Sequence, residues 1–450
     1  MAAEPPATGL YTDLYHPDAA YVAWRSGHTG PTTFDLFARR APFGGAYLLV
    51  AGLEEAIQNV LAFRYDEAAL RYLTQVRDYA PAYLDYLRTL RFTGEIAAIP
   101  EGTIAFPHEP LVRVTAPFPE ALLIESILLQ AINAATLVAT KAARITTAAG
   151  ERRVAEFAYR RAHAPFVVAR AAYVGGCTST SFVAAAERYR IPASGTIPHA
   201  LVQLYPTERE AFAAVAESYN RYTILLDTYD ARRAIHTVVD VARDALQRHG
   251  HALAAVRLDS GDLDADSRYV RRALDDAGLT ETRVLASGDL DEHSIAQLVA
   301  GGAPIDAFGV GTALGLPYPA LGAVYKAAWY ADPAGQGRPM LKVAGEKSTW
   351  PGIKEVYRSP DFEQDVVQLA SEPPPEGFRR LLRPVVRDGQ VLPGALPPLS
   401  EIRELAQQNL AALPARWRAL DADADYPVHF SDALQALRRE TKEKTDDHHS

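Results

Sequence analysis

The chain has 450 residues, 48% of them apolar and 22% charged, with a formal net charge of −9. That length suits two or three domains around a large core, and Lys and Arg dispersed through an acidic chain argue against nucleic acid as the main partner. The single cysteine, Cys177, excludes an internal disulfide and a cysteine-rich zinc site and fits a reducing compartment.

The opening Met1-Ala-Ala-Glu-Pro-Pro6 is a loose tail without a basic, apolar leader, so a cytoplasmic location is expected. No membrane partner is expected either, because the longest uncharged apolar run, Ser126 to Thr140, carries Gln130, Asn133 and Thr136. Thr12 and Asp13 give a capping signature for a helix running through Ala20 and Trp24. Strands are expected at Thr33–Phe37, Tyr47–Val50, Glu95–Ile99 and Leu111–Val114, and helices from Leu53 and from Glu67. This alternation lacks a regular strand-helix rhythm and predicts a separate α/β domain over 1–118.

From Pro119 to Ala149 apolar residues recur at helical spacing, with Gly150 placed as a C-cap. A βα series follows. Its early strands are expected at Val154–Tyr159, Tyr173–Cys177 and Pro192–Thr196, and its later ones at Thr223–Asp227, Ala254–Asp259, Arg283–Ser287 and Ile305–Val310, with helices such as 235–247 and 294–299 between them. About seven parallel strands over 119–330 predict an irregular (β/α) barrel, with a doubly wound open sheet as the alternative. Beyond it, Ala323–Tyr330 and Met340–Ala344 read as strands and 371–398 as proline-rich irregular chain. Residues 331–450 are expected to return to the N-terminal domain and to end in a frayed, charged tail from Arg438.

Function is sought where parallel strands end. Ser-Gly-Asp-Leu-Asp occurs twice, at 260–264 and 287–291, each time straight after a strand, and Phe308-Gly-Val-Gly-Thr312 closes a third. Any one of these is accounted for by turn and capping chemistry. Three in succession point to a phosphorylated ligand, since glycine admits close backbone approach and the next helix offers free N–H groups. In a barrel the converging ends also bring Arg160, Arg161, Thr178, Ser179, His199, Asp227, Asp230, Asp259, Ser287, Gly288, Asp289, Gly309, Gly311 and Thr312 to one mouth. Carboxylates there can hold ribose hydroxyls, arginines can clamp a carboxylate or phosphate, and a histidine can accept a phosphoryl group. Two motifs fail. Gly345-Glu-Lys-Ser-Thr349 lacks the Gly-Lys pair of a P-loop, and Gly309, Gly311 and Gly315 miss the dinucleotide fingerprint.

Thr12-Asp-Leu-Tyr15, Phe34-Asp-Leu-Phe-Ala-Arg-Arg-Ala-Pro-Phe-Gly-Gly45, Ala51-Gly-Leu-Glu-Glu55, Leu137-Val-Ala-Thr-Lys-Ala-Ala-Arg144, Glu156-Phe-Ala-Tyr-Arg-Arg-Ala-His163, Ser194-Gly-Thr-Ile-Pro-His199, Leu258-Asp-Ser-Gly-Asp262 and Pro351-Gly-Ile-Lys354, in that order, resemble the nicotinate phosphoribosyltransferase family. The resemblance implies an irregular barrel plus an α/β sandwich domain built from both chain ends, in a homodimer whose active site is shared between subunits. The implied reaction joins nicotinate to phosphoribosyl pyrophosphate. ATP hydrolysis, in a ligase-type reaction, would be coupled through a phosphohistidine at His199, with Mg²⁺ carried by the phosphorylated substrates and no metal site of the protein's own. On the same likeness Asp227 orients that ring, Phe157 stacks on the pyridine opposite Tyr15 of the partner subunit, and Arg160 and Arg161 meet carboxylate or phosphates. Asp259 holds ribose hydroxyls, Arg257 lies beside the base, Gly288, Gly309 and Gly311 take the 5′-phosphate, and Lys326 binds phosphate.

The chain departs from the family pattern at Ala158, where glycine is usual and a methyl would narrow the floor of the base pocket, and at Pro198 and Ala200 around the histidine. Transfer to nicotinamide is the nearest rival, because Phe157-Ala-Tyr-Arg160 fits that group of enzymes too. The aspartate expected there near Thr178–Ser181 is missing between Gly175 and Ala186. Quinolinate transfer, and a non-catalytic sensor of a phosphorylated metabolite, remain as further alternatives.

Overall fold

A computed structural model describes residues 8–343 and 348–449, with side chains to residue 445. The chain forms two compact units, one from the residues up to Thr140 together with those from Pro319 onward, the other Lys141–Tyr318.

The second unit is built on six strands, β1 (Arg153–Glu156), β2 (Ser179–Thr180), β3 (Arg221–Leu225), β4 (Ala252–Leu258), β5 (Arg283–Ser287) and β6 (Ala307–Val310). They lie in the order β2-β1-β6-β5-β4-β3, every neighbouring pair parallel, in a curled half-barrel. Helices Ala231–His249, Leu263–Asp276 and Glu292–Ala300 follow β3, β4 and β5. The first shows how they pack: Ala234, Ile235, Val238, Val241, Ala242 and Ala245 fall on one face and close with Ile224, Val256, Leu258 and Val284 of the sheet into one apolar core. Each helix starts on an aspartate cap, Asp230, Asp262 or Asp291, and the first stops at Gly250 in the left-handed conformation.

Six strands stand where about seven were expected. Tyr173 and Val174 end the helix Pro165–Val174, whose apolar residues carry no period that separates a buried helix from a buried strand. The 192–196 stretch contributes a single bridge, Thr180 to Ala193, since Pro192 and Gly195 suit a ladder poorly.

The first unit holds a seven-stranded sheet in the order Gly337–Pro339, Val324–Ala331, Pro31–Phe37, Val112–Pro117, Glu95–Ala98, Arg383–Arg387, Gln390–Val391, antiparallel throughout. Both of its edges come from the C-terminal part of the chain, so Val324–Ala331 belongs here and not with the parallel sheet. A four-stranded sheet contains Lys354–Arg358 and Asp365–Leu369. There Arg358, fully buried, holds Asp365 at 2.5 Å and donates to the Ile104 carbonyl, and buried Lys354 pairs with Asp35 at 2.7 Å.

Several expectations change in this unit. The strand read at Met340–Ala344 lies at Gly337–Pro339; residues 340–343 form none, and Ala344 and most of Gly345–Thr349 are outside the described residues. Short strands interrupt the supposedly irregular 371–398. The charged end from Arg438 belongs to the helix Asp432–His449, anchored where Leu434 and Thr441 are buried. The helix after Asp13 has Leu14 at its N-cap without a side-chain bond, Thr12 turning instead to His16 Nδ1 at 3.0 Å. Phe118–Ala149, in two helices breaking at Ile124, is by length and composition apolar enough to cross a membrane, which the uncharged run had not indicated, yet 72% of its most apolar window is buried within the protein.

Candidate active site

At the C-terminal end of β4, Arg257 points along the strand ends and binds three groups. Its Nε donates to Ser287 Oγ at 2.7 Å, Nη1 to Thr196 Oγ1 at 2.8 Å and Nη2 to Asp259 Oδ1 at 2.5 Å. Ser287 Oγ in turn donates to the same Asp259 oxygen at 2.5 Å. His199, the first residue of the helix His199–Leu204, places Nε2 3.7 Å from Asp259 Oδ2, and its Nδ1 lies 3.2 Å from Thr228 Oγ1. The ends of β4 and β5 and the start of the His199 helix thus meet on one carboxylate. Burial alone would raise the pKa of Asp259, but the Ser287 hydrogen bond, the Arg257 guanidinium and His199 outweigh it and hold the group below its ordinary value.

Asp227 is placed differently from expectation. Its Oδ2 accepts the Asp259 N–H at 2.8 Å and the Ser260 hydroxyl at 2.6 Å, so it shapes the turn after β4, while the His199 ring rests on Thr228 and Asp259. Phe157, just past β1, lies under the Arg257 guanidinium, 5.8 Å from its ring centroid. That gives a flat apolar face beside a cation, the combination an aromatic carboxylate needs.

The glycines have distinct reasons. A Cβ on Gly288 would stand 1.8 Å from the Asp259 carbonyl oxygen, and one on Gly309 2.4 Å from the Phe157 ring. Gly288 and Asp289 both have positive φ, +96° and +46°. The two copies of Ser-Gly-Asp-Leu-Asp therefore differ: in the first the third residue, Asp262, caps the helix, whereas in the second the fifth, Asp291, does so. The second copy spends its Gly288-Asp289 pair on an extra exposed turn at the mouth, with Asp289 outside the helix altogether.

Arg160 and Arg161 are exposed in the turn after β1, and Thr312 is exposed beyond Gly311 after β6. Ser179 lies in β2, and the Thr178 hydroxyl donates to the Val154 carbonyl at 3.1 Å. Ala158 turns its methyl onto Gly315 and is fully buried, so it pads the packing behind the turn instead of narrowing a base pocket. Tyr15 and Lys326 belong to the first unit. Tyr15 is 57% exposed beside His16, and Lys326 Nζ lies 3.9 Å from Glu125 Oε1. Sequence reasoning gave no role to Thr196, Thr228 or Glu156, and took Thr180 only as one of the strand-end residues Thr178–Ser181. The first two flank His199 and Asp227 in sequence, but only the folded chain shows which atoms their hydroxyls reach.

The N-terminal domain model of nicotinate phosphoribosyltransferase matches residues 10–133 and the C-terminal domain model matches 368–438. A nicotinate phosphoribosyltransferase of Mycobacterium tuberculosis is 39% identical over 96% of this chain and 94% of its own length. The chain belongs to the nicotinate phosphoribosyltransferase family. The enzyme of that name from Bacillus subtilis is also 39% identical, covering 94% of this chain and 93% of its own. The crystal structure of human nicotinic acid phosphoribosyltransferase superposes with a TM-score of 0.85 at 31% identity, over 95% of this chain and 99% of that one. The two family models leave 134–367 between them, and the full-length relatives carry the family likeness across the strand-end cluster.

Proposed function

We propose that the chain transfers the phosphoribosyl group of phosphoribosyl pyrophosphate to nicotinate in NAD salvage, giving nicotinate mononucleotide and pyrophosphate. The C1–O bond to pyrophosphate breaks as the pyridine nitrogen bonds to C1. The observation that carries the reading is the Asp259 carboxylate, held ionised by Ser287 and Arg257 at the convergence of the strand ends. Positive charge grows on the ribose as pyrophosphate departs, and a fixed carboxylate beside the sugar stabilises it. Phe157 supplies the stacking face and Arg257 the cation for the nicotinate carboxylate. The 5′-phosphate is assigned to the strand ends at Gly288, Gly309 and Gly311, where backbone N–H groups would meet its oxygens.

His199, with its side chain 41% exposed, is accessible to ATP. In the coupled step a ring nitrogen bonds to the γ-phosphorus as ADP leaves, and water later breaks the N–P bond. The phosphohistidine adds negative charge next to Asp259 and the Arg257 cation. Among the described residues no group of three or more His, Cys, Asp or Glu suits a metal ion. Mg²⁺ is taken to arrive on the substrates' phosphates, where it neutralises charge on the departing pyrophosphate. Tyr15, exposed on the first unit, is assigned to the site of a partner subunit in a homodimer.

The test is product analysis after incubation with nicotinate or nicotinamide, phosphoribosyl pyrophosphate and Mg²⁺, with and without ATP. Nicotinate mononucleotide should form, faster with ATP and with release of ADP, and His199→Ala should lose the ATP effect. Equal turnover of nicotinamide would overturn the assigned base, and an undiminished ATP effect in His199→Ala would overturn the coupling.

A further inference from the structure

Lys141 and Arg144, three residues apart on one face of the helix Glu125–Ala149, close on a single carboxylate. Lys141 Nζ stands 2.6 Å from Glu292 Oε2, and Arg144 Nε donates to Glu292 Oε1 at 2.9 Å. The Arg144 and Glu292 side chains are each 1% exposed and that of Lys141 12%, so this is a buried clamp and not a surface pair. Burial alone would raise the Glu292 pKa, but the Lys141 ammonium and the Arg144 hydrogen bond outweigh it and hold the carboxylate below its ordinary value. Glu292 opens the helix Glu292–Ala300, in which Glu292 and Ile295 are the buried residues. The capping box of Asp291 and Ser294 fixes the first turn of that helix on itself and joins it to no neighbour. Seating the helix start therefore falls to Ile295 and to the clamp. Apolar side chains would fasten it at least as stably as buried charges. What two cations on the two oxygens of one carboxylate add is a defined direction.

That direction matters for the turn between β5 and Glu292. Gly288 and Asp289 stand in succession at positive φ, +96° and +46°, on an exposed turn, and Leu290 after them is buried. The ladder of β5 ends at Ser287, and among the described residues no backbone hydrogen bond is made by Asp289 or Leu290. A left-handed aspartate persists only where its surroundings over-determine it. On one flank Ser287 Oγ donates to Asp259 Oδ1 at 2.5 Å and Gly288 lies against the Asp259 carbonyl. On the other flank stands Glu292 in its clamp.

We propose that Lys141, Arg144 and Glu292 are positioning residues that seat the Gly288–Leu290 turn, keeping Gly288 against Asp259 and the open N–H groups of Asp289 and Leu290 free for the 5′-phosphate. The proposal rests on the phosphoribosyl transfer inferred above. It is tested on the full chain by hydrogen exchange and steady-state kinetics with Lys141→Met and Lys141→Arg. Lys141→Met removes one cation and leaves the Arg144–Glu292 pair in place. Amides of 288–292 should then exchange faster than in wild type, with those of the helix Ala231–His249 unchanged. The KM for phosphoribosyl pyrophosphate should rise about tenfold and that for nicotinate stay within about twofold, because Phe157 follows β1 and Arg257 belongs to β4. Lys141→Arg, which keeps the charge, should restore both readings. Should Lys141→Met fail to fold, Lys141→Gln keeps a donor without the charge and carries the same comparison. Unchanged exchange at 288–292, a phosphoribosyl pyrophosphate KM that does not move, two KM values that rise together, or no rescue by Lys141→Arg would overturn the positioning role. A wild type that makes no nicotinate mononucleotide would instead sink the reading on which it rests, and the exchange comparison would still judge the clamp.

Discussion

Asp259 gathers a hydrogen bond from Ser287, the Arg257 cation and the His199 ring, and its pKa in the folded chain lies below that of an unfolded aspartate, ~3.9. Because the folded value is the lower one, the ionised carboxylate contributes stability that is complete above about pH 5 and is lost as pH falls through the folded pKa. Asp259→Asn has no such titration. The difference in melting temperature between wild type and Asp259→Asn should therefore be constant near neutrality and change below about pH 4; a difference that stays flat down to pH 3 would contradict the assignment. At this scale the sequence was legible in kind and not in pairing. The carboxylate and the imidazole were readable as residue types at strand ends, whereas Arg257 was named only through the family resemblance. That His199 rests on Thr228 instead of Asp227 was not readable, because both residues lie in the turn after β3, where no strand period sets which side chain faces the ring.

The strand-end turns are the element-scale device. Gly288 combines a φ of +96° with an added Cβ 1.8 Å from the Asp259 carbonyl oxygen, an atom of backbone that has little room to move. Gly288→Ala should cost roughly 2–3 kcal/mol in strain and displacement and reduce kcat/KM about 10²-fold by shifting Asp259. Gly250→Ala is the control, since it shares a positive φ but nothing lies within 4 Å of its Cβ, so it should melt lower without a loss of kcat/KM of that size. Equal effects on activity from the two substitutions would show that backbone strain alone, not the approach to Asp259, explains Gly288. Short apolar runs that close on polar or glycine residues, such as β3 to β6, were legible, β5 at its observed bounds and the others to within two residues at each end. Tyr173–Cys177 was misread as a strand because its helix, Pro165–Val174, is apolar on every side. The repeated pentapeptide gave no hint that its two copies start their helices at different residues.

At the scale of the molecule, the parallel half-barrel carries the proposed reacting groups and a buried Arg144–Glu292 pair, and the first unit too is built over buried charges. Its sheets rest on buried ion pairs, Arg358 with Asp365 and Lys354 with Asp35, each hydrogen-bonded to backbone carbonyls as well. Breaking such a pair by removing one partner typically costs ~3–5 kcal/mol. The weaving of strands from both chain ends into one antiparallel sheet was only partly legible, because short strands such as Gly337–Pro339 and Gln390–Val391 form where a neighbour offers an edge and not where the local sequence demands them. The central claim is that the carboxylate at the strand-end convergence stabilises a ribosyl transition state. The most direct test is the rate of nicotinate mononucleotide formation at saturating nicotinate, phosphoribosyl pyrophosphate and Mg²⁺ for wild type and Asp259→Ala. Turnover by wild type with a loss of about 10²–10³-fold in the variant is predicted; a correctly folded Asp259→Ala that keeps the wild-type rate would contradict it.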